Sequence, residues 1–283
     1  MNIEDDAPRN PRAGKPGTGE VYSWFLNSER VKDYVSDEAI AAARKVDHDL
    51  PEARDIVQTC RIFVRRAVRW MTNNGIDQFI DLGSGLPTDN NTHEVAHDID
   101  PSVRVVYVDN DAKTAEQATR MAENIPNVDF IDTDICLRDD LWTKIRATGL
   151  IDFERPIGLL MASVIHLITE VECKQAAGIS THQLVRDYVS SLPTGSYLAF
   201  AHVTNEGVDM DRLNRVLEYI HAAPRSNDEI RSYFDGTTLV SPYRYEDREP
   251  PYDIVRSSNW QASRPDEASQ SSAWIQAGVG RVN

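Results

Sequence analysis

From Asp77 onward the chain alternates short apolar runs with longer amphipathic segments. Five runs are apolar almost throughout, rather than at every second residue: QFIDL, VRVVYVD, VDFID, IGLLMAS and SYLAFAHV. Strands that are buried on both faces of a parallel sheet have this texture, and segments of roughly 15 to 30 residues between them can form crossover helices. The pattern therefore predicts a doubly wound α/β fold with a mostly parallel sheet.

The segment before these runs is predicted to be helical. In PEARDIVQTCRIFVRRAVRWMTNNG, apolar residues recur at steps of three and four, and Gly75 after two asparagines is typical of a C-terminal cap. We therefore divide the chain into a disordered tail at residues 1–19, a helical cap at residues 20–75 and an α/β domain at residues 76–283. The tail is rich in Pro, Gly and charge and can bury little.

Further elements are expected after the fifth run. MDRLNRVLEYIHAA and NDEIRSYF are predicted helices, whereas TTLVSPYRYE and the terminal SAWIQAGVGRVN are predicted strands. The Pro- and Ser-rich segment DREPPYDIVRSSNWQASRPDEASQSS between these two strands is expected to be a surface excursion.

Charge and cysteine content narrow the class of partner. The chain has 30 Lys and Arg against 45 Asp and Glu, whereas nucleic-acid binding requires a basic surface. Its three cysteines are scattered without CxxC spacing, which favours a reducing compartment. No apolar run approaches the roughly 20 residues of a membrane span. We expect a cytoplasmic protein that acts on a small molecule, without nucleic-acid or membrane partners and with surface available for a homodimer.

Polar residues and glycines follow the first two predicted strands. Asp81, Gly83 and Gly85 close the first run, and Asp109 and Asn110 close the second. Glycines allow the backbone to approach a ligand that a Cβ would repel, and a carboxylate after the second strand can accept hydrogen bonds from two ribose hydroxyls. Ligands of open α/β sheets bind beyond the carboxyl ends of the strands, so these residues are expected to share one site.

The third and fourth strands add to this set. Asp134 and Ile135 follow the third strand, where a carboxylate beside an apolar side chain suits an adenine amino group and ring. Ser163 follows the fourth strand, and His166 comes three residues later. A glycine pair alone is weak evidence, but four strand ends together predict an adenosine site.

The loop after the first strand favours one adenosine cofactor over another. A pyrophosphate site requires G-x-G-x-x-G, so that a helix begins at once. Here Thr88 occupies the third glycine position, next to Pro87, and a polar segment precedes a predicted helix start near Thr92. This favours S-adenosylmethionine, which carries no phosphate. An NAD-linked oxidoreductase and a noncatalytic S-adenosylmethionine-binding regulatory protein stay open as alternatives.

Several segments carry a family resemblance: CRIFVRRAVRWM, IDQFIDLGSGLPTDNNTHEVA, RVVYVDND, RPIGLLMASVIH, PTGSYLAFAHVT and AGVGR. Together they resemble a bacterial, actinomycete-type family of S-adenosylmethionine-dependent methyltransferases long catalogued as a domain of unknown function. The resemblance implies a class I (Rossmann-like) methyltransferase fold with an N-terminal helical cap. It also implies cofactor contacts at Gly83, Ser84, Gly85, Asp109, Asn110, Asp134 and Ser163.

The methyl acceptor is less constrained by sequence. Relatives carry a glycine-rich, GGKDNF-like stretch near the N-terminus, where this chain has EVYSWFLNSERVKDYV, so the acceptor site is expected to differ from theirs. Trp24 and Phe25 there could bind an indole or phenol scaffold of specialised metabolism, although aromatic clusters more often pack in a core. Candidates for a general base are Glu20, Tyr22 and His166, with His202 as a weaker one. His166 is equally consistent with a histidine that is hydrogen-bonded in the core.

Two further motifs have both a functional and a structural interpretation. Arg61 and Arg65 share a helix face, and Arg61 could bind the methionine carboxylate. Arginines in such a run more often lie on a solvated helix face. His93-Glu94-Val95-Ala96-His97 matches the zinc-binding pattern H-E-x-x-H. Its setting after a glycine turn argues against a metal site, and we expect no metal.

Overall fold

Eight strands form a single sheet within the part of the chain that the computed structural model describes, namely residues 16–30, 32–244, 249–263 and 273–283. The strands are β1 (Gln78–Leu82), β2 (Arg104–Asp109), β3 (Val128–Asp132), β4 (Gly158–Ala162), β5 (Tyr197–Val203), β6 (Thr237–Leu239), β7 (Val255–Arg256) and β8 (Ile275–Val282). Their order is β3-β2-β1-β4-β5-β8-β6, and β7 also pairs with β8.

Strands β1 to β5 are parallel, whereas β8 runs antiparallel to β5, and β6 and β7 run antiparallel to β8. Because β1 lies between β2 and β4, the strand order reverses beside it, which creates the crevice where such sheets bind ligands. Neighbouring residues Phe79 and Ile80 of β1 belong to different hydrophobic clusters and are both fully buried. The doubly wound, mostly parallel sheet predicted from the continuous apolar runs is confirmed.

Helices cover both faces of this sheet. They are α1 (Thr18–Leu26), α2 (Asp37–Asp49), α3 (Ala53–Asn73), α4 (Thr92–His97), α5 (Ala112–Ala122), α6 (Arg138–Thr148), α7 (Glu170–Ala177), α8 (Thr181–Ser190), α9 (Met210–Tyr219) and α10 (Asn227–Ser232). Short 3-10 helices lie at Lys32–Tyr34 and Ile165–Leu167. None of the helices in the described ranges is long and apolar enough to cross a membrane.

The N-terminal helices share a core with the sheet. The buried face of α3 packs against β4, β5 and β8, and α1 packs against α2 and α3. The helix α3 ends at Asn73. Gly75 follows the C-cap residue Asn74, and its φ of +90° and the hydrogen bond from Ile76 N to Met71 O (3.1 Å) form the expected glycine cap. Because α1 begins at Thr18, helix starts before the predicted end of the tail at residue 19; residues 1–15 lie outside the described ranges. The domain boundary at residue 76 stays a prediction.

The late part of the chain departs from the sequence-based expectation. The strand predicted for TTLVSPYRYE is limited to β6, three residues long, and the predicted surface excursion contributes β7 to the sheet. Trp260 of that excursion is fully buried and packs edge-to-face on Phe63 of α3, with ring centroids 5.5 Å apart. A surface excursion was therefore the wrong interpretation for residues 254–262, because a large aromatic side chain anchors them. Residues 245–248 and 264–272 are outside the described ranges.

Candidate active site

The loop after β1 turns at two glycines with different surroundings. Gly83 and Gly85 have φ values of +69° and +68°, which disfavour other residues. A Cβ on Gly83 would lie 2.2 Å from Cγ2 of Val164, whereas a Cβ on Gly85 would meet nothing within 4 Å. Gly83 therefore allows the loop after β4 to approach, and Gly85 borders open space at the crevice.

Asp109 joins the ends of β1 and β2. Its Oδ2 accepts a hydrogen bond from the Gly85 amide at 2.8 Å, and its Oδ1 accepts one from the Asp111 amide at 3.0 Å. Burial raises the pKa of this half-buried carboxyl group, while both hydrogen bonds act against the rise. Asn110 next to it is exposed. The two strand ends that sequence analysis grouped are thus held together by a direct contact.

Asp81 lies deeper, under the same loop. The Thr92 hydroxyl at the start of α4 donates to Asp81 Oδ2 at 2.6 Å, and burial raises the pKa of Asp81 to about 6. The neighbouring Ser84 has a buried Oγ without a hydrogen-bond partner among the described residues. A buried hydroxyl of this kind is costly unless a ligand or water pairs with it, so Ser84 and the open side of Gly85 fit a polar cofactor.

The end of β3 combines a half-buried carboxylate with a core residue. Asp134 Oδ1 accepts from the Cys136 amide at 2.8 Å, while the Ile135 carbonyl accepts from the Tyr188 hydroxyl at 2.7 Å. The Ile135 side chain is buried in the hydrophobic cluster on that face of the sheet. An adenine contact for either residue stays a prediction.

At the end of β4, Ser163 adopts a left-handed backbone conformation with a φ of +65°. Its Oγ lies 2.9 Å from the Sγ of Cys60 on α3. Sequence analysis assigned no site role to Cys60, which follows the apolar periodicity of α3. Its place on the buried helix face was the only signal, and that face alone does not identify its partner 103 residues away.

Arg61 contacts the loop that follows the glycines. Its Nη2 donates to Thr88 Oγ1 at 3.0 Å and to Asn91 Oδ1 at 3.2 Å, while its Nε is buried without a hydrogen-bond partner within the described ranges. A cavity of about 270 Å³ opens beside it, bounded by the end of α1, the outer face of α3 and residues 88–90; Arg65 also lines this cavity. Binding of a methionine carboxylate by Arg61 stays a prediction.

Helix α1 carries two of the predicted bases. Glu20 is buried, and its Oε1 accepts from Lys113 Nζ of α5 at 2.7 Å and from the Ser36 amide at 2.9 Å. The Tyr22 hydroxyl donates to the Val57 carbonyl of α3 at 3.3 Å. Burial raises the pKa of Tyr22 well above its ordinary value. The phenol is therefore protonated at neutral pH, and the Glu20 carboxylate is already paired.

The predicted aromatic pair on α1 is divided between core and cleft. Phe25 is 2% exposed and belongs to the core, whereas Trp24 is half-buried, edge-on to Phe25 with centroids 5.0 Å apart. The Arg54 guanidinium lies over the Trp24 ring at 5.5 Å. Of the two, only Trp24 has surface left for an acceptor, and substrate binding by this pair stays a prediction.

His166 and His202 form a buried pair, with ring centroids 5.3 Å apart. Burial lowers the pKa of His166 to about 3, aided by the charge of Arg225, and burial also lowers the pKa of His202. His202 Nδ1 pairs with the Val203 carbonyl at 2.7 Å. His166 Nδ1 lacks a partner among the described residues. His166 is neutral and buried, as the alternative of a core histidine would have it, and its role as a general base stays a prediction.

The H-E-x-x-H segment is occupied by structural contacts. His93 Nδ1 pairs with the Tyr107 hydroxyl at 2.7 Å, and His97 Nε2 pairs with the Val103 carbonyl at 2.8 Å. Glu94 closes a capping box at the start of α4 by accepting from the Asn91 amide. Across the described ranges, no group of three or more His, Cys, Asp or Glu side chains is arranged to hold a metal ion.

Comparison with known proteins identifies the family. The sequence profile of the S-adenosyl methyltransferase family matches residues 5–283. A crystal structure from Thermobifida fusca, of a protein assigned to the methyltransferases, superimposes with a TM-score of 0.82 at 26% identity and covers 98% of both chains. A DUF574 family protein from Streptomyces avermitilis gives the same TM-score at 22% identity, over 96% of this chain and 100% of its own.

A more distant structure has the same fold. The 1,6-didemethyltoxoflavin-N1-methyltransferase of Burkholderia thailandensis, solved with its substrate and S-adenosylhomocysteine, aligns with a TM-score of 0.50 at 13% identity, over 95% and 92% of the two chains. Comparison with curated proteins gives no match. Because this family match extends over nearly the whole chain, the alternative of an NAD-linked oxidoreductase is not supported. The chain belongs to the S-adenosyl methyltransferase family and is a class I methyltransferase that uses S-adenosylmethionine as its cofactor.

Proposed function

We propose that this enzyme methylates a small-molecule acceptor in the cleft between α1 and the carboxyl ends of β1, β2 and β4. The observation that carries the proposal is the contact from the Gly85 amide to Asp109 Oδ2, which joins two strand ends beside open space. The same edge holds the unpaired Ser84 hydroxyl. The formal charge of −15 favours a small acceptor over a nucleic acid.

The proposed cofactor contacts follow from these positions. Asp109 accepts hydrogen bonds from ribose hydroxyls, Ser84 and the open side of Gly85 border the amino-acid portion, and Asp134 faces the adenine. Arg61 binds the methionine carboxylate through its unpaired Nε. The bound cofactor supplies an electrophilic methyl group on a sulfonium. The proposed cofactor site also includes Asp81, Asn110, Ile135 and Ser163.

The contribution of this chain to methyl transfer is mainly orientation and exclusion of water. Tyr22 keeps its proton and donates it in a hydrogen bond to the Val57 carbonyl, so it holds α1 to α3 rather than acting as a base. Glu20 holds α1 to α5 through Lys113. His166 is neutral, and the low pKa of its buried ring makes it a weak base, although its Nδ1 has no hydrogen-bond partner among the described residues. Trp24 offers a ring face to an aromatic acceptor such as an indole or phenol of specialised metabolism.

Two measurements test this function. Calorimetry should show binding of S-adenosylmethionine and S-adenosylhomocysteine and no binding of NAD. Incubation with S-adenosylmethionine and panels of indoles, phenols and amines should then form S-adenosylhomocysteine only when an acceptor is present. Cofactor binding without turnover on any small molecule, together with methylation of a protein, would overturn the small-molecule acceptor.

The three candidate bases are tested with an acceptor from these panels that supports turnover. Glu20→Gln, Tyr22→Phe and His166→Ala are compared with the parent enzyme for turnover and for its pH profile. We expect Tyr22→Phe to lower turnover about tenfold without displacing the pH profile, because the substitution removes a hydrogen bond between α1 and α3 rather than a base. Unchanged turnover in all three variants removes these residues from the chemistry.

A further inference from the structure

Cys60 connects two parts of the cleft that are far apart in sequence. Its side chain is 1% exposed on the inner face of α3, and its Sγ lies 2.9 Å from Ser163 Oγ at the end of β4. One turn earlier on α3, the Val57 carbonyl accepts a hydrogen bond from the Tyr22 hydroxyl of α1 at 3.3 Å. Helix α3 therefore joins α1 and the end of β4 through neighbouring contacts, and Cys60 makes the contact with the end of β4.

Ser163 needs such a contact. Its φ of +65° is a conformation that side chains other than Gly, Asn and Asp rarely adopt, so surrounding interactions must hold it. The Ser163 amide donates to the Ala201 carbonyl of β5 at 2.9 Å. The hydroxyl is held by Cys60, in a hydrogen bond where either group can donate. Both the side chain and the amide of Ser163 therefore have hydrogen-bond partners within the protein.

The thiol itself is suited to positioning rather than reaction. Burial raises the pKa of Cys60, although contacts with Ser163 and Tyr22 act against the rise. A thiol that keeps its proton is a poor nucleophile and behaves as a small, weakly polar packing residue.

We propose that Cys60 is a positioning residue of the cofactor site. It holds Ser163 in the left-handed conformation, which fixes the separation between α3 and the end of β4. The inference rests on the proposed cofactor site, because Ser163 acts on the donor only if the donor lies at these strand ends.

The test is a double-mutant cycle on binding of S-adenosylhomocysteine, measured by calorimetry. We expect Cys60→Ala to weaken binding about fivefold and Cys60→Ser to restore it to within about twofold, because a hydroxyl can replace the thiol. Glycine adopts a positive φ without side-chain support. In a Ser163→Gly background, Cys60→Ala should therefore change affinity by less than about 1.5-fold.

A packing control separates positioning from general destabilisation. Val64, one turn further along the buried face of α3, is also buried, and Val64→Ala should lower the unfolding midpoint without changing affinity. Equal losses from Cys60→Ala in both backgrounds, or a Cys60→Ser variant as weak as Cys60→Ala, would overturn the positioning role alone. Binding that is insensitive to Asp109→Ala would overturn the cofactor site and this inference together.

Discussion

The two ends of the cleft are built differently. At the β1–β2 end, Gly85 borders open space, Ser84 has an unpaired hydroxyl and Asp109 is half-buried. At the β4–β5 end, the Ser163 hydroxyl is already bonded to Cys60, and His166 is buried. The first end is shaped by backbone turns and leaves polar groups available, whereas the second is closed by helix packing. We therefore expect acceptor selection to depend on α1 and α3 more than on the strand ends themselves.

The largest expected effect is on the free energy of unfolding, and it should differ between the two glycines of the β1–β2 end. Gly83→Ala adds a positive-φ penalty and a clash with Val164, and we expect it to lower the free energy of unfolding by about 3 kcal/mol. Gly85→Ala carries only the backbone penalty, about 1 to 2 kcal/mol. Urea denaturation measures both. Equal losses in the free energy of unfolding would mean that the Val164 side chain moves aside without an energetic penalty and that the two glycines have the same role.

The pH dependence of stability should differ in sign between the ends. The pKa of Asp81 rises from 3.8 to about 6 on folding, so the folded state holds more protons in that window and the free energy of unfolding falls as pH rises. The pKa of His166 drops from 6.5 to about 3, so the unfolded state holds more protons there and the free energy of unfolding falls as pH falls.

Single variants separate these opposing contributions. From pH 4 to 6, Asp81→Asn should make the slope of the free energy of unfolding against pH more positive, and His166→Gln should make it more negative. Each change can reach about 1 kcal/mol per pH unit. Urea denaturation at several pH values measures the slopes. Shifts of the same sign in both variants would contradict the contrast between the ends.

The ion pair between Glu20 and Lys113 holds α1 to α5, beside the β1–β2 end, and its removal gives the smallest expected effect. Lys113→Met leaves the buried Glu20 carboxylate with the Ser36 amide, and we expect a loss of about 1 kcal/mol in the free energy of unfolding and about threefold faster release of S-adenosylhomocysteine. Glu116→Gln, which breaks an exposed pair with Arg120 on α5, is the control and should change neither quantity. An unchanged rate of S-adenosylhomocysteine release from Lys113→Met would show that the ion pair does not hold α1 over the cofactor site.

The contrast between the ends also explains what the sequence could predict. The glycine turn, Asp109 and the five apolar strands lie in short local patterns that reflect backbone geometry, so they could be identified without a structure. The Cys60–Ser163 contact, the burial of His166 and the packing of Trp260 on α3 depend on residues far apart in the chain. For His166, polarity and position after a strand were equally consistent with a side chain that faces the acceptor and with one in the core, and only tertiary packing shows that it is buried.

The central claim is that the cofactor lies at the β1–β2 end, and calorimetry of S-adenosylhomocysteine binding to Asp109→Ala tests it most directly. We predict a loss of affinity of about 100-fold, because the substitution removes a charged acceptor and releases the Gly85 loop. Asp132→Asn, at the exposed end of the neighbouring strand β3, is the matched control and should bind like the parent enzyme. Parental affinity in Asp109→Ala would contradict the account.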